Sequence, residues 1–171
     1  MASEQSSIIS VLSKGFNREL TINQLSKSIK KSYAFTNQHA HALMKSNILN
    51  RKAVGSAILC LLNLKNEETI AHLVFNSMGE RKRFLDTLPE QKRVTLNDLL
   101  SKLEDKCVFL EKNKITIISE SKESLAAKLS GYSIITITRS EFERRIKSID
   151  FEGLVILANH EQFWNMIAKA A

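Results

Sequence analysis

The sequence predicts an α+β protein in which an N-terminal winged helix-turn-helix is followed by a small α/β domain. The first 66 residues contain nine Lys and Arg against two Glu, so they hold the whole formal net charge of +7. The same segment shows three helical patterns followed by two β-prone runs, and strands then alternate with helices further along the chain. A basic excess confined to one domain is typical of a surface that binds polyphosphate, so double-stranded DNA is the expected partner.

Three helices are predicted in the basic segment. The first runs from Ser6 to Phe16. Thr21, with Gln24 three residues later, forms a capping-box pattern and starts the second helix, which has about two turns. Ser32 caps the third helix, which reaches about Ser46 and ends at Asn47. Its inward residues are expected to be Phe35, Ala42 and Leu43, with Ala40 as a further candidate.

A hairpin, or wing, is predicted directly after the third helix. Its strands are Ile48 to Arg51 and Ser56 to Leu62, joined by a basic four-residue connection that ends at Gly55. Glu67 to Leu88 then forms a long helical pattern that Gly79 interrupts. A helix of this kind packs on the wing or on a second copy of the chain.

The polar stretch Pro89 to Arg93 contains the single proline and is the predicted linker, which gives domains 1–88 and 94–171. Helices and strands alternate in the second domain, which predicts a small, mostly covered sheet. The elements expected there are a helix from Thr95 to Asp105, strands Cys107 to Leu110 and Lys114 to Ser119, a helix from Ser121 to Leu129, a strand from Tyr132 to Thr138, a helix capped by Ser140 that reaches Ile149, a strand from Gly153 to Ala158 and a helix from Glu161 to Ala170.

The third helix is the expected recognition helix, since it carries hydrogen-bonding side chains opposite an apolar face. Asn37 and Gln38 suit an adenine edge, and Lys45 suits a phosphate. The basic residues at the turn and in the wing suit backbone or minor-groove contacts. The alternative is that these polar residues only solvate an outer helix face. The predicted DNA-contacting residues are Lys30, Lys31, Ser32, Tyr33, Thr36, Asn37, Gln38, His41, Lys45, Arg51 and Lys52.

No metal, cofactor or membrane is expected. Cys60 and Cys107 lie far apart in apolar stretches and are interpreted as reduced core thiols. His39 and His41 are two positions apart on a helix, so they point in different directions and cannot share a metal ion. The chain has no apolar run long enough to span a bilayer and no signal peptide at its start, which predicts a cytoplasmic protein.

Leu20 to Leu64, and above all the stretch SNILNRKAVGSAILCLLNL, resembles the winged helix-turn-helix of archaeal transcriptional regulators. In one such family, which this chain resembles, a nucleotidyltransferase-like domain follows, and ITITRSEFERRI with GLVILANHEQFW is similar to its end. The resemblance implies a truncated nucleotidyltransferase fold. Its catalytic motif is absent, because CVFLEKNKITIISES holds neither a Gly-Ser turn nor paired Asp residues for magnesium.

The sequence therefore predicts a transcriptional regulator that binds specific sequences of double-stranded DNA and is not an enzyme. Helix-turn-helix proteins commonly bind two half-sites, so a homodimer is expected, with the second domain in assembly or partner binding. One alternative is a protein-interaction module that uses its winged helix on an acidic partner. The other is a divergent nucleotidyltransferase that uses Glu111 or Glu120, the acids near the predicted strand ends.

Overall fold

The computed structural model describes residues 4–55, 57–120 and 129–171. It forms two compact units, one that ends at Asn76 and one that runs from Ser77 to Ala170. Each unit has its own sheet.

Three helices form the first half of the N-terminal unit: α1 (Glu4–Leu12), α2 (Ile22–Ile29) and α3 (Tyr33–Lys45). The capping box before α2 is confirmed, since the Gln24 N–H donates to Thr21 Oγ1 at 3.2 Å and the Thr21 N–H donates to Gln24 Oε1 at 2.8 Å. The first helix is shorter than predicted because turns begin directly after Leu12.

A three-stranded antiparallel sheet completes this unit, with strands β1 (Leu20–Thr21), β2 (Leu49–Val54) and β3 (Ala57–Leu62) in the order β1-β3-β2. The predicted four-residue connection in the hairpin is wrong. Val54 already pairs with Ala57, so three of the four residues assigned to the connection belong to β2, and Gly55 takes a positive φ of 58°. Ser56, the predicted start of the second strand, lies outside the described residues. Lys52 therefore lies within β2 rather than in a loop.

The core of the N-terminal unit lies between the helices and the sheet. Ile8, Leu12, Leu25 and Leu43 are almost fully buried in it. The predicted inward face of α3 is wrong in one place: Ala42 is exposed, while Thr36 and Ala40 are buried with Leu43. Phe35 is half-buried at the side of the helix.

The helix α4 (Glu67–Thr87) is continuous, so the predicted interruption at Gly79 is wrong. The predicted linker is also wrong, because α5 (Glu90–Ser101) begins immediately after Pro89. Proline is tolerated at a helix start, where its missing N–H needs no partner, and its carbonyl accepts the Arg93 N–H at 3.0 Å. The division into compact units falls within α4 instead.

The second sheet contains β4 (Cys107–Glu111), β5 (Lys114–Ser119), β6 (Ser133–Thr138) and β7 (Leu154–Ala158). The spatial order is β6-β5-β4-β7, in which β5 and β6 are parallel and the other pairs are antiparallel. All four predicted strands are present, within one residue of their predicted ends.

Helices α6 (Arg139–Arg145) and α7 (His160–Ala170) complete the C-terminal unit. The N-cap of α6 is Thr138, which forms a capping box with Glu141, so the predicted cap at Ser140 is wrong. The helix predicted from Ser121 to Leu129 falls on residues 121–128, which lie outside the described part of the chain.

Both faces of the second sheet are covered, as the pattern predicts. Phe109 contacts Phe142 and Phe163 on one face, with ring centroids 5.8 and 5.7 Å away. Its neighbour Val108 belongs to a separate cluster that includes leucines of α5, such as Leu99. Since successive residues of a strand point to opposite faces, the two clusters lie on opposite sides of the sheet.

Candidate nucleic-acid interface

The connection between α2 and α3 is three residues long and held by backbone hydrogen bonds. Lys30 ends α2 in the left-handed conformation, with φ 55°. The Lys31 N–H donates to the Ser26 carbonyl at 3.0 Å, and Ser32 Oγ accepts the Phe35 N–H at 3.3 Å. Because these bonds involve backbone groups and one hydroxyl, they fix the turn while the Lys30 and Lys31 side chains stay exposed.

The inner face of α3 is set by residues 36, 40 and 43. Thr36 has an exposed fraction of 0%, and its hydroxyl donates to the Ser32 carbonyl at 2.9 Å. The prediction that Thr36 faces a ligand is therefore wrong. A buried threonine satisfies its hydroxyl on the preceding turn of its own helix, so its polarity gave a false signal of an outer position.

The outer face of α3 is a continuous exposed stripe. The exposed residues of the stripe are spaced four, three and four positions apart in the sequence, which places them on one side of the helix. Asn37 lies next to the stripe and is half-buried, while Tyr33 in the first turn has 56% of its surface exposed. The stripe consists of Ala34, Gln38, His41 and Lys45.

Sequence reasoning missed two exposed residues of this helix, Ala34 and Ala42. A methyl group on an outer helix face can contact the C5-methyl of thymine, so both positions belong to the candidate site. Alanine is common on both faces of helices, so the residue type does not indicate whether a position is exposed. Positions 36, 40 and 43 are buried, and this spacing would have predicted that both alanines lie on the exposed face.

An aromatic cluster lies on one flank of α3. The ring centroids of Phe35 and His39 are 4.4 Å apart, and Lys31 Nζ lies 5.5 Å from the Phe35 centroid. A cation over a ring face is held by the ring quadrupole. Lys31 is thus oriented at the turn by a neutral group, and no acid among the described residues pairs with its positive charge.

The two cations of the wing have different surroundings. Arg51 pairs across the ladder with Cys60, and Lys52 with Leu59, so the two side chains start on opposite faces of the hairpin. Lys52 Nζ lies 3.1 Å from Glu19 Oε1. Arg51 is exposed and has no acidic partner among the described residues. Arg51 and Lys52 were predicted to have the same role, but the structure shows that only Lys52 has a nearby acid among the described residues.

The remaining titratable groups of interest are thiols and carboxylates. Burial raises the pKa of Cys60 to about 11 and that of Cys107 to about 12, so both are neutral thiols at pH 7. Glu111 ends β4 and Glu120 follows β5, and since these strands are antiparallel the two acids lie at opposite ends of the hairpin. They cannot share one metal ion.

Residues 4–55, 57–120 and 129–171 contain neither a candidate metal site nor a candidate membrane span. No three His, Cys, Asp or Glu side chains lie where they could hold one metal ion. No helix in these ranges combines the length and apolarity needed to cross a membrane.

The N-terminal unit is a winged helix-turn-helix. It contains a three-helix core, a tight turn between the second and third helices, and a hairpin that follows the third helix directly. This part of the predicted fold class is confirmed by the element order and the sheet topology.

No protein-family model matches the chain, and no curated protein matches it. Among solved structures the chain is similar to the PcaV transcriptional regulator from Streptomyces coelicolor, determined in complex with its natural ligand, with 15% identity and a TM-score of 0.40 over 61% of this chain and 75% of that one. It is also similar to a MarR family transcriptional regulator from Silicibacter pomeroyi, with 18% identity and a TM-score of 0.39 over 56% of this chain and 63% of that one.

Proposed function

We propose that this protein binds specific sequences of double-stranded DNA and regulates transcription. The observation that carries the proposal is the exposed stripe on α3, which lies between basic residues of the turn and the wing in one compact unit. A helix with a polar outer face fits the major groove, and flanking cations fit the phosphates on either side.

Base recognition is assigned to the outer face of α3. Gln38 stands in the middle of the stripe, and its amide can pair with the N6 and N7 edge of adenine. Asn37 offers the same chemistry from the side of the stripe. Ala34 and Ala42 supply methyl groups for thymine, so the face as a whole suits a sequence that contains A·T pairs.

Phosphate contacts are assigned to the lysines at the two ends of α3 and to one wing residue. Lys30 and Lys31 precede the helix N-terminus, and Lys45 is its last residue. All three are exposed and have no acidic partner among the described residues. Arg51 in the wing is likewise exposed and has no acidic partner among the described residues. Contacts of this kind position a protein on the duplex without reading its sequence.

Assembly as a homodimer belongs to the same proposal, because helix-turn-helix proteins commonly bind two half-sites about one helical turn apart. The C-terminal unit, with both faces of its sheet covered, is the part to which we assign assembly or partner binding. The nucleotidyltransferase likeness of that unit, the archaeal origin and the cytoplasmic location stay predictions.

The test is a titration of the full chain with duplex fragments of its own genome between 50 and 200 mM salt. We expect a preferred fragment, and affinity for all fragments that falls steeply as salt increases. In the variant Gln38→Ala, the preference at one base pair should weaken by about 1 to 3 kcal/mol.

The matched control is Gln162→Ala, which removes an exposed amide from α7 in the other unit and should leave every affinity unchanged. Equal affinity for all fragments, or equal effects of the two variants, would contradict the proposal.

A further inference from the structure

Glu19 is one of two acids in the first 66 residues, and it lies directly before β1. Strand β3 separates β1 from the edge strand β2, yet Lys52 reaches from β2 to Glu19. Lys52 Nζ lies 3.1 Å from Oε1 and 3.4 Å from Oε2, so the ammonium group contacts both carboxylate oxygens. The ion pair thus holds Lys52, a cation of the wing strand β2, against the edge of the sheet formed by β1.

The pair is accessible to solvent. The exposed fractions are 59% for the Lys52 side chain and 34% for that of Glu19. An exposed pair of this kind is weak and can exchange partners. A phosphate that approaches Lys52 has to displace the carboxylate, and it meets the negative charge of Glu19 at the same place. Either effect lowers the contribution of Lys52 to binding of a polyanion.

We propose that Glu19 limits the affinity of the wing for DNA by holding Lys52 away from the phosphate backbone. This inference rests on the proposed function. Under it, Arg51 is the wing cation that contacts DNA in the native chain, and Lys52 becomes a contact only when Glu19 is neutralised. Each additional phosphate contact releases condensed counterions, so a freed Lys52 changes the salt dependence as well as the affinity.

The experiment measures DNA affinity as a function of salt for the full chain and three wing variants: Glu19→Gln, Lys52→Ala and the double variant. We expect Glu19→Gln to bind every duplex about three- to tenfold more tightly at 0.1 M salt, with a slope of log K against log salt steeper by about 0.9. Lys52→Ala alone should change affinity by less than about twofold, and in the Glu19→Gln background it should abolish the gain.

Glu67→Gln is the matched control. It changes the net charge by the same amount, but Glu67 is an exposed residue in the first turn of α4 and contacts no wing cation in the described part of the chain. Thermal melts of each variant establish that all are folded.

The proposal is overturned if Glu19→Gln and Glu67→Gln raise affinity equally, or if Lys52→Ala costs the same in both backgrounds. A native chain that binds no duplex overturns the proposed function itself. That result is distinguishable, because every variant would then give a flat titration.

Discussion

The two compact units place their charges in different ways. On the C-terminal side, some cations pair with acids one helical turn away, as Lys102 does with Asp98 and Arg139 with Glu143. In the winged helix, the cations around α3 have no acidic partner among the described residues, and Lys52 pairs with Glu19. Lysine and arginine thus help to solvate the C-terminal unit, whereas in the winged helix they form a positive surface. What separates a binding surface from a solvated one is the position of the acids, because both units are rich in lysine and arginine.

Removing the lysines around α3 is the strongest test of this contrast. We expect the variant Lys30→Ala/Lys31→Ala/Lys45→Ala to bind all duplexes about 100-fold more weakly at 0.15 M salt, because about three counterion-releasing contacts are lost.

The control for this variant is a triple alanine variant of lysines that we do not assign to the DNA contact, at Lys82, Lys102 and Lys169. It removes the same charge and should change affinity by less than about threefold. Fluorescence anisotropy with a labelled duplex measures both. Similar losses in the two variants would show that net charge, rather than its placement, drives binding.

Acid should weaken the C-terminal unit through His160. Burial, with the Arg81 guanidinium as the smaller cause, lowers the pKa of His160 from 6.5 to about 4, and Ser77 Oγ lies 2.8 Å from its Nδ1. As the pH falls, His160 is protonated in the unfolded chain before it is protonated in the folded chain. The free energy of unfolding therefore keeps its full value above pH 6.5 and decreases as the pH drops from 6.5 to 4. The loss is about 2 to 3 kcal/mol.

Urea denaturation at pH 7 and pH 4.5 measures this loss, followed through the fluorescence of Trp164, which is the single tryptophan. The variant His160→Gln should be less stable at pH 7 and should lack this component of the pH dependence. If its pH dependence equals that of the native chain, His160 is not the group responsible.

The smallest expected effect concerns the inner face of α3. The variant Thr36→Val removes the hydroxyl that donates to Ser32, although the Thr36 N–H still donates to the same carbonyl at 3.0 Å. We expect a loss of stability of about 1 kcal/mol and DNA affinity within about twofold of the native value. A large loss of affinity in a fully folded variant would return Thr36 to the contact surface.

Local patterns were predictable from the sequence. The caps at Thr21 and Ser32 depend on residues within three positions of each other, so a short window contains all the information they need. Pro89 was misread for a related reason: proline signals both a break and a helix start, and its neighbours do not decide between the two.

Contacts between distant parts of the chain were not predictable. Glu19 and Lys52 are 33 positions apart and meet because β1 and β2 flank the same strand. Thr36 and Ala42 were misplaced because threonine and alanine occupy either face of a helix at little cost. The class of site was therefore visible in the sequence, while the division of its cations into paired and unpaired required the structure.

The ladder of the wing also constrains how this segment can change during evolution. Arg51 and Lys52 occupy opposite faces of β2, and Leu49 is buried at its start. A single inserted residue between Leu49 and Arg51 would exchange the faces of the two cations, whereas an insertion of two would restore them. Homologues that differ in length at this point should therefore differ by even numbers of residues, unless a bulge absorbs the extra one.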